Sequence, residues 1–122
     1  MNETRELSSE VVKSKEVIGV SVKNKAGENL GEIYEIILDK HKGYARYVVL
    51  SFGGFLGIGD KLFALPWEVI SYNPEEECFI LNIDKEKLKN APGFDKNNWP
   101  NMADQTWGKN IYNYYGIRPY WE

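Results

Sequence analysis

The chain has 122 residues, 43% of them hydrophobic and 27% charged, which is typical of one soluble globular domain and excludes two full ones. A net charge of −3 with both signs interspersed excludes the basic field that drives non-specific nucleic-acid binding, so we expect no nucleic-acid partner. The single cysteine excludes an internal disulfide and a thiolate metal cluster.

The N-terminal segment is polar and charged where an export signal would be apolar, and no apolar run approaches about 20 residues. We therefore expect a cytoplasmic protein without a membrane span. The first predicted element is one helical turn that begins at Ser14, which we expect to be its N-cap. Gly19 is expected to end this turn in the left-handed conformation.

Short segments rich in β-branched and aromatic residues follow, separated by turn residues, and predict about six strands. The third segment is apolar on both faces in its second half, as in a central strand that is buried on both sides. The acidic run Glu75–Glu77 is expected to be a solvated hairpin turn. The predicted strands are Val20–Lys23, Leu30–Asp39, Tyr44–Phe52, Lys61–Leu65, Val69–Tyr72 and Cys78–Ile83.

Four glycines fall within seven residues of the segment SFGGFLGIGDKLFALPW, where a phosphate-binding loop would be expected. Gly54 and Gly59 have the spacing of a P-loop, but Asp60 stands where its lysine should be and Leu62 where its hydroxyl should be. The dinucleotide fingerprint fails as well, because a strand that ends at proline follows instead of a helix. We therefore predict a structural hairpin, not a nucleotide site.

Several motifs resemble the PRC-barrel family over about residues 7–88. These are Val-Ile-Gly-Val-x-Val, Gly-Glu-x-Leu-Gly-Glu-Ile, Tyr-Val-Val-Leu, the glycine segment GGFLGIGDK and Ala-Leu-Pro-Trp. The resemblance implies a mainly β fold, a small and strongly bent antiparallel β-barrel. It maps the structural motif of the family onto Gly53, Gly54, Gly57, Gly59, Asp60, Pro66 and Trp67, and it implies no catalytic residues.

Similar barrels occur in the photosynthetic reaction-centre H subunit and in a ribosomal small-subunit processing factor. We do not expect either function to transfer, because this sequence lacks the membrane helix of the first and the second domain of the other. By analogy with these relatives, electron transfer or cofactor association and RNA or ribosome association remain alternative functions.

The residues that could carry chemistry are isolated. His41 lies in a charged turn, Ser51 lacks the glycine that a nucleophile elbow requires at position 49, and Cys78 leads an apolar strand where a thiol would be inert. One histidine and one cysteine make a zinc site unfavourable. We therefore expect no catalytic residues, no metal site and no cofactor.

The last part of the chain, residues 89–122, is predicted to be a linker and an aromatic helical extension. Asp84 is expected to cap a helix over Lys85–Asn90, and a second helix is expected over Met102–Tyr115. Seven of the last 24 residues are aromatic, which predicts that they pack against the barrel, a second copy of the chain or another protein. The candidate interaction surface comprises Trp99, Trp107, Tyr112, Tyr115 and Trp121.

The sequence thus favours a non-enzymatic barrel module that binds an unidentified protein through aromatic anchors, with a homodimer as one form of such binding.

Overall fold

The computed structural model describes residues 11–52, 61–119 and 121. Short helices flank a mainly β domain, and a 3₁₀ turn at Trp67–Val69 lies between two strands. The strands are β1 (Ser21–Lys23), β2 (Asn29–Asp39), β3 (Tyr44–Phe52), β4 (Lys61–Pro66), β5 (Ile70–Asn73) and β6 (Cys78–Leu81). The helices are α1 (Ser14–Val17), α2 (Lys85–Lys89) and α3 (Gln105–Tyr114).

The strands form one curled, half-barrel sheet in the order β4-β3-β2-β1-β6-β5. The mainly β fold class, the short C-terminal helix and the number of strands agree with the sequence analysis. The family resemblance implied an antiparallel barrel, and one strand pair departs from this, because β1 and β6 run parallel. The meander β1–β4 leaves one edge of β1 open, and the β5–β6 hairpin docks on that edge through β6.

The larger apolar cluster lies on one face of the sheet, which we call the inner face. It draws buried side chains from the strands β1 to β4 and β6 and from α1 and α2. In β3, Val48 and Leu50 point into it, and in β4 so do Phe63 and Leu65. The buried residues of this inner cluster are Val17, Val22, Leu30, Ile33, Val48, Leu50, Phe63, Leu65, Phe79, Leu81, Leu88 and Ala91.

The opposite, outer face of β3 and β4 is also buried. Successive side chains of a strand alternate between faces, so Tyr47 and Val49 in β3 and Ala64 in β4 point away from the inner cluster, and all three are buried. This confirms the prediction that β3 is covered on both sides. Something other than the sheet must therefore cover its outer face.

The N-terminal turn differs from the sequence prediction in its cap. Ser14 is the first residue of α1, and Lys13 occupies the N-cap position without a side-chain hydrogen bond. The chain enters α1 in an extended conformation at Lys13, whose carbonyl accepts from the Glu16 amide at 2.9 Å. Gly19 follows α1 with a φ of 94°, so the predicted left-handed exit is confirmed.

The path of β2 depends on a glycine at position 31. Gly31 has a φ of 133°, and a Cβ there would collide with the carbonyl oxygen of Ser51 on β3. Register shifts between Ile33 and Glu35 and between Ile37 and Leu38 interrupt the β2–β3 pairing further along. Such bulges bend and twist a strand, and these two help to curl the sheet.

We predict that Gly31→Ala lowers the free energy of unfolding by about 2–5 kcal/mol, because it adds steric overlap to backbone strain. Gly43→Ala is the matched control, since Gly43 has a φ of 82° but open space around its Cβ position. The control should lose only about 1–2 kcal/mol. Urea denaturation followed by circular dichroism measures both, and equal losses would contradict the close approach of β2 and β3.

Candidate interaction surface

The C-terminal extension reaches the outer face by crossing the free edge of β4. Phe94 and Leu62 exchange two backbone hydrogen bonds, each 2.9 Å long. A Cβ at Gly93 would lie 2.9 Å from the carbonyl oxygen of Leu62, so the crossing needs a residue without a side chain. The extension is thereby fixed to the sheet before α3 begins.

Local sequence signals define both ends of α3. The Asp104 carboxylate accepts a hydrogen bond from the Thr106 amide at 2.9 Å, a side-chain N-cap. At the other end, the Gly116 amide donates to Asn113 and the Ile117 amide donates to Tyr112, while Gly116 has a φ of 76°. This is a Schellman motif. The helix begins three residues later than predicted and ends one residue earlier.

The outer cluster forms where α3 lies on β3 and β4. Tyr47 is at its centre, with its ring 5.2 Å from that of Trp107 and 5.7 Å from that of Tyr112, both in edge-on geometry. The fully buried members of this outer cluster are Tyr47, Ala64, Ile111 and Tyr112. Partly buried side chains around them are Ile37, Phe94, Met102, Trp107, Tyr115, Ile117 and Trp121.

Gly108 allows the helix to approach the sheet closely. A Cβ at this position would lie 2.5 Å from the Tyr47 hydroxyl oxygen and 3.1 Å from the Trp121 ring. The Tyr112 hydroxyl donates to the carbonyl of Arg46 at 3.1 Å, and the Arg46 guanidinium carbon lies 4.2 Å from the centroid of Trp121. A hydrogen bond and a cation–π contact thus add to the apolar packing.

The end of α3 also reaches the inner cluster. Tyr115 contacts both clusters, and the Tyr114 hydroxyl donates to the carbonyl of Lys87 in α2 at 2.6 Å. Burial raises the pKa of Tyr115 above its usual range, with Tyr114 adding to the effect. Burial also raises the pKa of Tyr47, and the neighbouring Arg46 opposes that rise.

Most of the predicted interaction residues pack within their own chain. Trp107, Tyr115 and Trp121 are partly buried beside the sheet, and Tyr112 is 0% exposed. Placing Tyr112 on an interaction surface was wrong, because its ring lies between α3 and β3 in the outer cluster. Trp99 is the exception, since 38% of its surface remains exposed.

Trp99 belongs to an exposed aromatic patch that the sequence analysis missed in part. Its ring lies 5.0 Å from that of Phe94 and 6.2 Å from that of Tyr34, which is 41% exposed on β2. We define the aromatic patch as Tyr34, Phe94 and Trp99. Tyr34 follows the inward-facing Ile33 in β2, and this alternation is the signal that could have identified it.

The glycine motif falls largely outside the described residues. Gly53, Gly54, Gly57, Gly59 and Asp60 lie there, so their structural role stays a prediction. Pro66 ends β4 opposite Tyr47. Trp67 begins the 3₁₀ turn and packs on the inner cluster, with its ring 6.3 Å from that of Phe79.

The residues considered for chemistry lie apart from one another. His41 is exposed in the β2–β3 turn, whereas Cys78 is buried at the start of β6. Burial raises the pKa of the Cys78 thiol, and the carboxylate of Glu76 reinforces the rise. Among the described residues, no three histidine, cysteine or carboxylate side chains converge on a point where a metal ion could bind. Asp84 occupies the N-cap position of α2 but makes no side-chain hydrogen bond there.

The fold and the surface together define a small β-domain whose curled sheet is covered on the outside by a C-terminal helix. The chain belongs to the PRC-barrel domain family, whose model matches residues 9–88. This confirms the resemblance found in the sequence. No curated protein matches the chain. Within the described part of the chain, no helix is both long and apolar enough to span a membrane.

We predict that truncation after Asn90 lowers the melting temperature and increases binding of a hydrophobic dye, because it uncovers Tyr47 and Ala64. Removal of large buried rings costs about 3–5 kcal/mol each in protein cores. Thermal unfolding and 8-anilinonaphthalene-1-sulfonate fluorescence measure the effect. An unchanged melting temperature without dye binding would show that the extension does not support the sheet.

We also predict different effects for removal of two hydroxyls, that of Tyr112 in α3 and that of Tyr115, which follows the helix. Tyr112→Phe should lower the free energy of unfolding by about 1 kcal/mol, because it leaves the Arg46 carbonyl without this donor. Tyr115→Phe should be neutral or stabilising by up to about 1 kcal/mol. The buried hydroxyl that it removes has no hydrogen-bond partner among the described residues. Urea denaturation measures both variants, and an equal loss in each would contradict this assignment.

Proposed function

We propose that this PRC-barrel chain acts by binding another protein rather than by catalysis, and that the aromatic patch is the contact surface. The observation that carries the proposal is the exposure of Tyr34 and Trp99 beside the outer cluster. Aromatic side chains bury a large area in an interface and lose little side-chain entropy when they do so. They are enriched at the centres of protein interfaces.

The position of the patch supports this function. The Trp99 ring contacts that of Phe94, which is partly buried against the outer cluster and hydrogen-bonded through its backbone to β4. The patch therefore rests on the sheet and not on a free loop. A rigid surface loses little conformational entropy when it binds a partner. A second copy of the chain is one such partner, and the homodimer is the self-associating form of this proposal.

Site-specific photocrosslinking tests the proposal in the full-length protein. A benzophenone amino acid in place of Tyr34 should give an adduct with a partner in extract of the source cells, identified by mass spectrometry. An excess of the unlabelled protein should compete for the adduct, and its Trp99→Ala variant should compete less. The matched control carries the crosslinker at Tyr72, a 51% exposed tyrosine on β5.

An adduct of two chain masses would identify self-association. Equal adducts at positions 34 and 72, or none at position 34, would overturn the assignment of the patch. An absorbing cofactor in the purified protein would favour the electron-transfer alternative instead, and copurifying nucleic acid would favour the RNA-associated one.

A further inference from the structure

The exposed indole of Trp99 has no free hydrogen-bond donor to offer a partner. The indole N–H of Trp99 donates to the backbone carbonyl of Lys96 at 2.7 Å, so the one polar group of this ring is already bonded within the chain. The rings of Trp99 and Tyr34 are inclined by 38°, with centroids 6.2 Å apart. What the Trp99 ring offers a partner is therefore its π surface, whose face carries negative electrostatic potential.

Carboxylates flank this patch on the same face of the sheet. Ile33 points into the inner cluster, so its neighbour Glu32 points outward. Glu35 is paired with Val49, which lies between the inward-facing Val48 and Leu50, so Glu35 also points outward. Both carboxylate side chains are exposed.

The charged side chains of β2 are all negative. This strand carries three carboxylates and no lysine or arginine between Asn29 and Asp39. In the extension next to Trp99, the charges of Asp95 and Lys96 offset each other. Exposed aromatic rings beside outward carboxylates make a surface that is complementary to a cation.

We propose that Tyr34, Trp99, Glu32 and Glu35 bind an arginine-bearing segment of a partner protein. The guanidinium would stack on the rings and pair with the carboxylates. Arginine fits better than lysine, because its planar, weakly hydrated head group stacks on aromatic rings and binds carboxylates through two hydrogen bonds. The chain already contains one arginine–aromatic contact of this kind, since the guanidinium of Arg46 lies over the ring of Trp121. This inference rests on the proposed function and specifies the chemistry of its partner.

A matched pair of synthetic peptides tests the charge directly. One peptide contains three arginines separated by Gly-Ser, and the other contains citrulline at the same positions, which keeps the planar shape and removes the charge. The readout is the indole N–H signals of the four tryptophans in ¹H–¹⁵N spectra of the full-length protein. Loss of one signal in the Trp99→Phe variant assigns the signal of Trp99.

We expect the arginine peptide to shift the Trp99 signal and to bind about twofold to thirtyfold more tightly than the citrulline peptide. Added salt should reduce this difference. The double substitution Glu32→Gln and Glu35→Gln should weaken binding of the arginine peptide but not of the citrulline peptide. Glu75→Gln, in the turn between β5 and β6, is the matched control and should change neither.

Equal affinity for the two peptides, or an unchanged affinity in the double variant, would overturn the cationic partner. A dimer of the protein alone that protects the Trp99 signal and resists the arginine peptide would also overturn it. In each of these cases a photocrosslinked adduct at position 34 would still support protein binding by the aromatic patch. Failure of this inference is therefore distinguishable from failure of the proposed function. Equal melting temperatures of the variants and the wild type would show that a change in affinity does not result from a loss of stability.

Discussion

The domain depends on the packing of α3 against a sheet that is apolar on both faces. Tyr47 is fully buried on the outer face, and the strand neighbours Val48 and Leu50 are equally buried on the inner one. A single curled sheet can enclose one of these faces by itself, but not both. The region that matches the family ends at residue 88, so the residues that cover the outer face come from beyond it.

Close approach, more than charge, fixes the extension in place. Gly93 and Gly108 both stand where a Cβ would meet a sheet atom at less than 3 Å, at the Leu62 carbonyl and the Tyr47 hydroxyl respectively. Surface ion pairs, such as Lys89 with Glu86 at 3.6 Å, are exposed and contribute little. The extension therefore behaves as part of the domain core, which is continuous from Leu88 to Ala91 across the family boundary.

The sequence predicted the elements that depend on local patterns. Apolar alternation and turn residues located the six strands of the described residues with ends within two residues, and aromatic density predicted a packed extension. Interactions between segments that are distant in the sequence could not be predicted from local patterns. The parallel pairing of β1 with β6 joins residues more than fifty positions apart. The cap of α1 depends on the backbone conformation at Lys13, which residue preferences do not determine.

The candidate surface was predictable only in part, for a reason specific to α3. This helix packs on two surfaces, so Tyr112 faces the sheet while Tyr114 faces α2. A prediction that places the aromatic residues of the helix on one side therefore cannot assign either contact. Trp99 was identified by its residue type. Tyr34 was missed because β2 was interpreted from its β-branched content, and the face of each residue was not considered.

The pairing of Phe94 with Leu62 also limits how the chain can aggregate. A fibre that grows by strand addition needs two open sheet edges on each molecule, one for each neighbour. Here the extension pairs with the edge of β4 at Leu62, whereas β5 has no partner strand on its second side within residues 11–52, 61–119 and 121. A neighbouring strand could pair along β4 only by displacing this contact, whereas it could pair with β5 directly. The same segment that covers the sheet therefore also obstructs strand addition at β4.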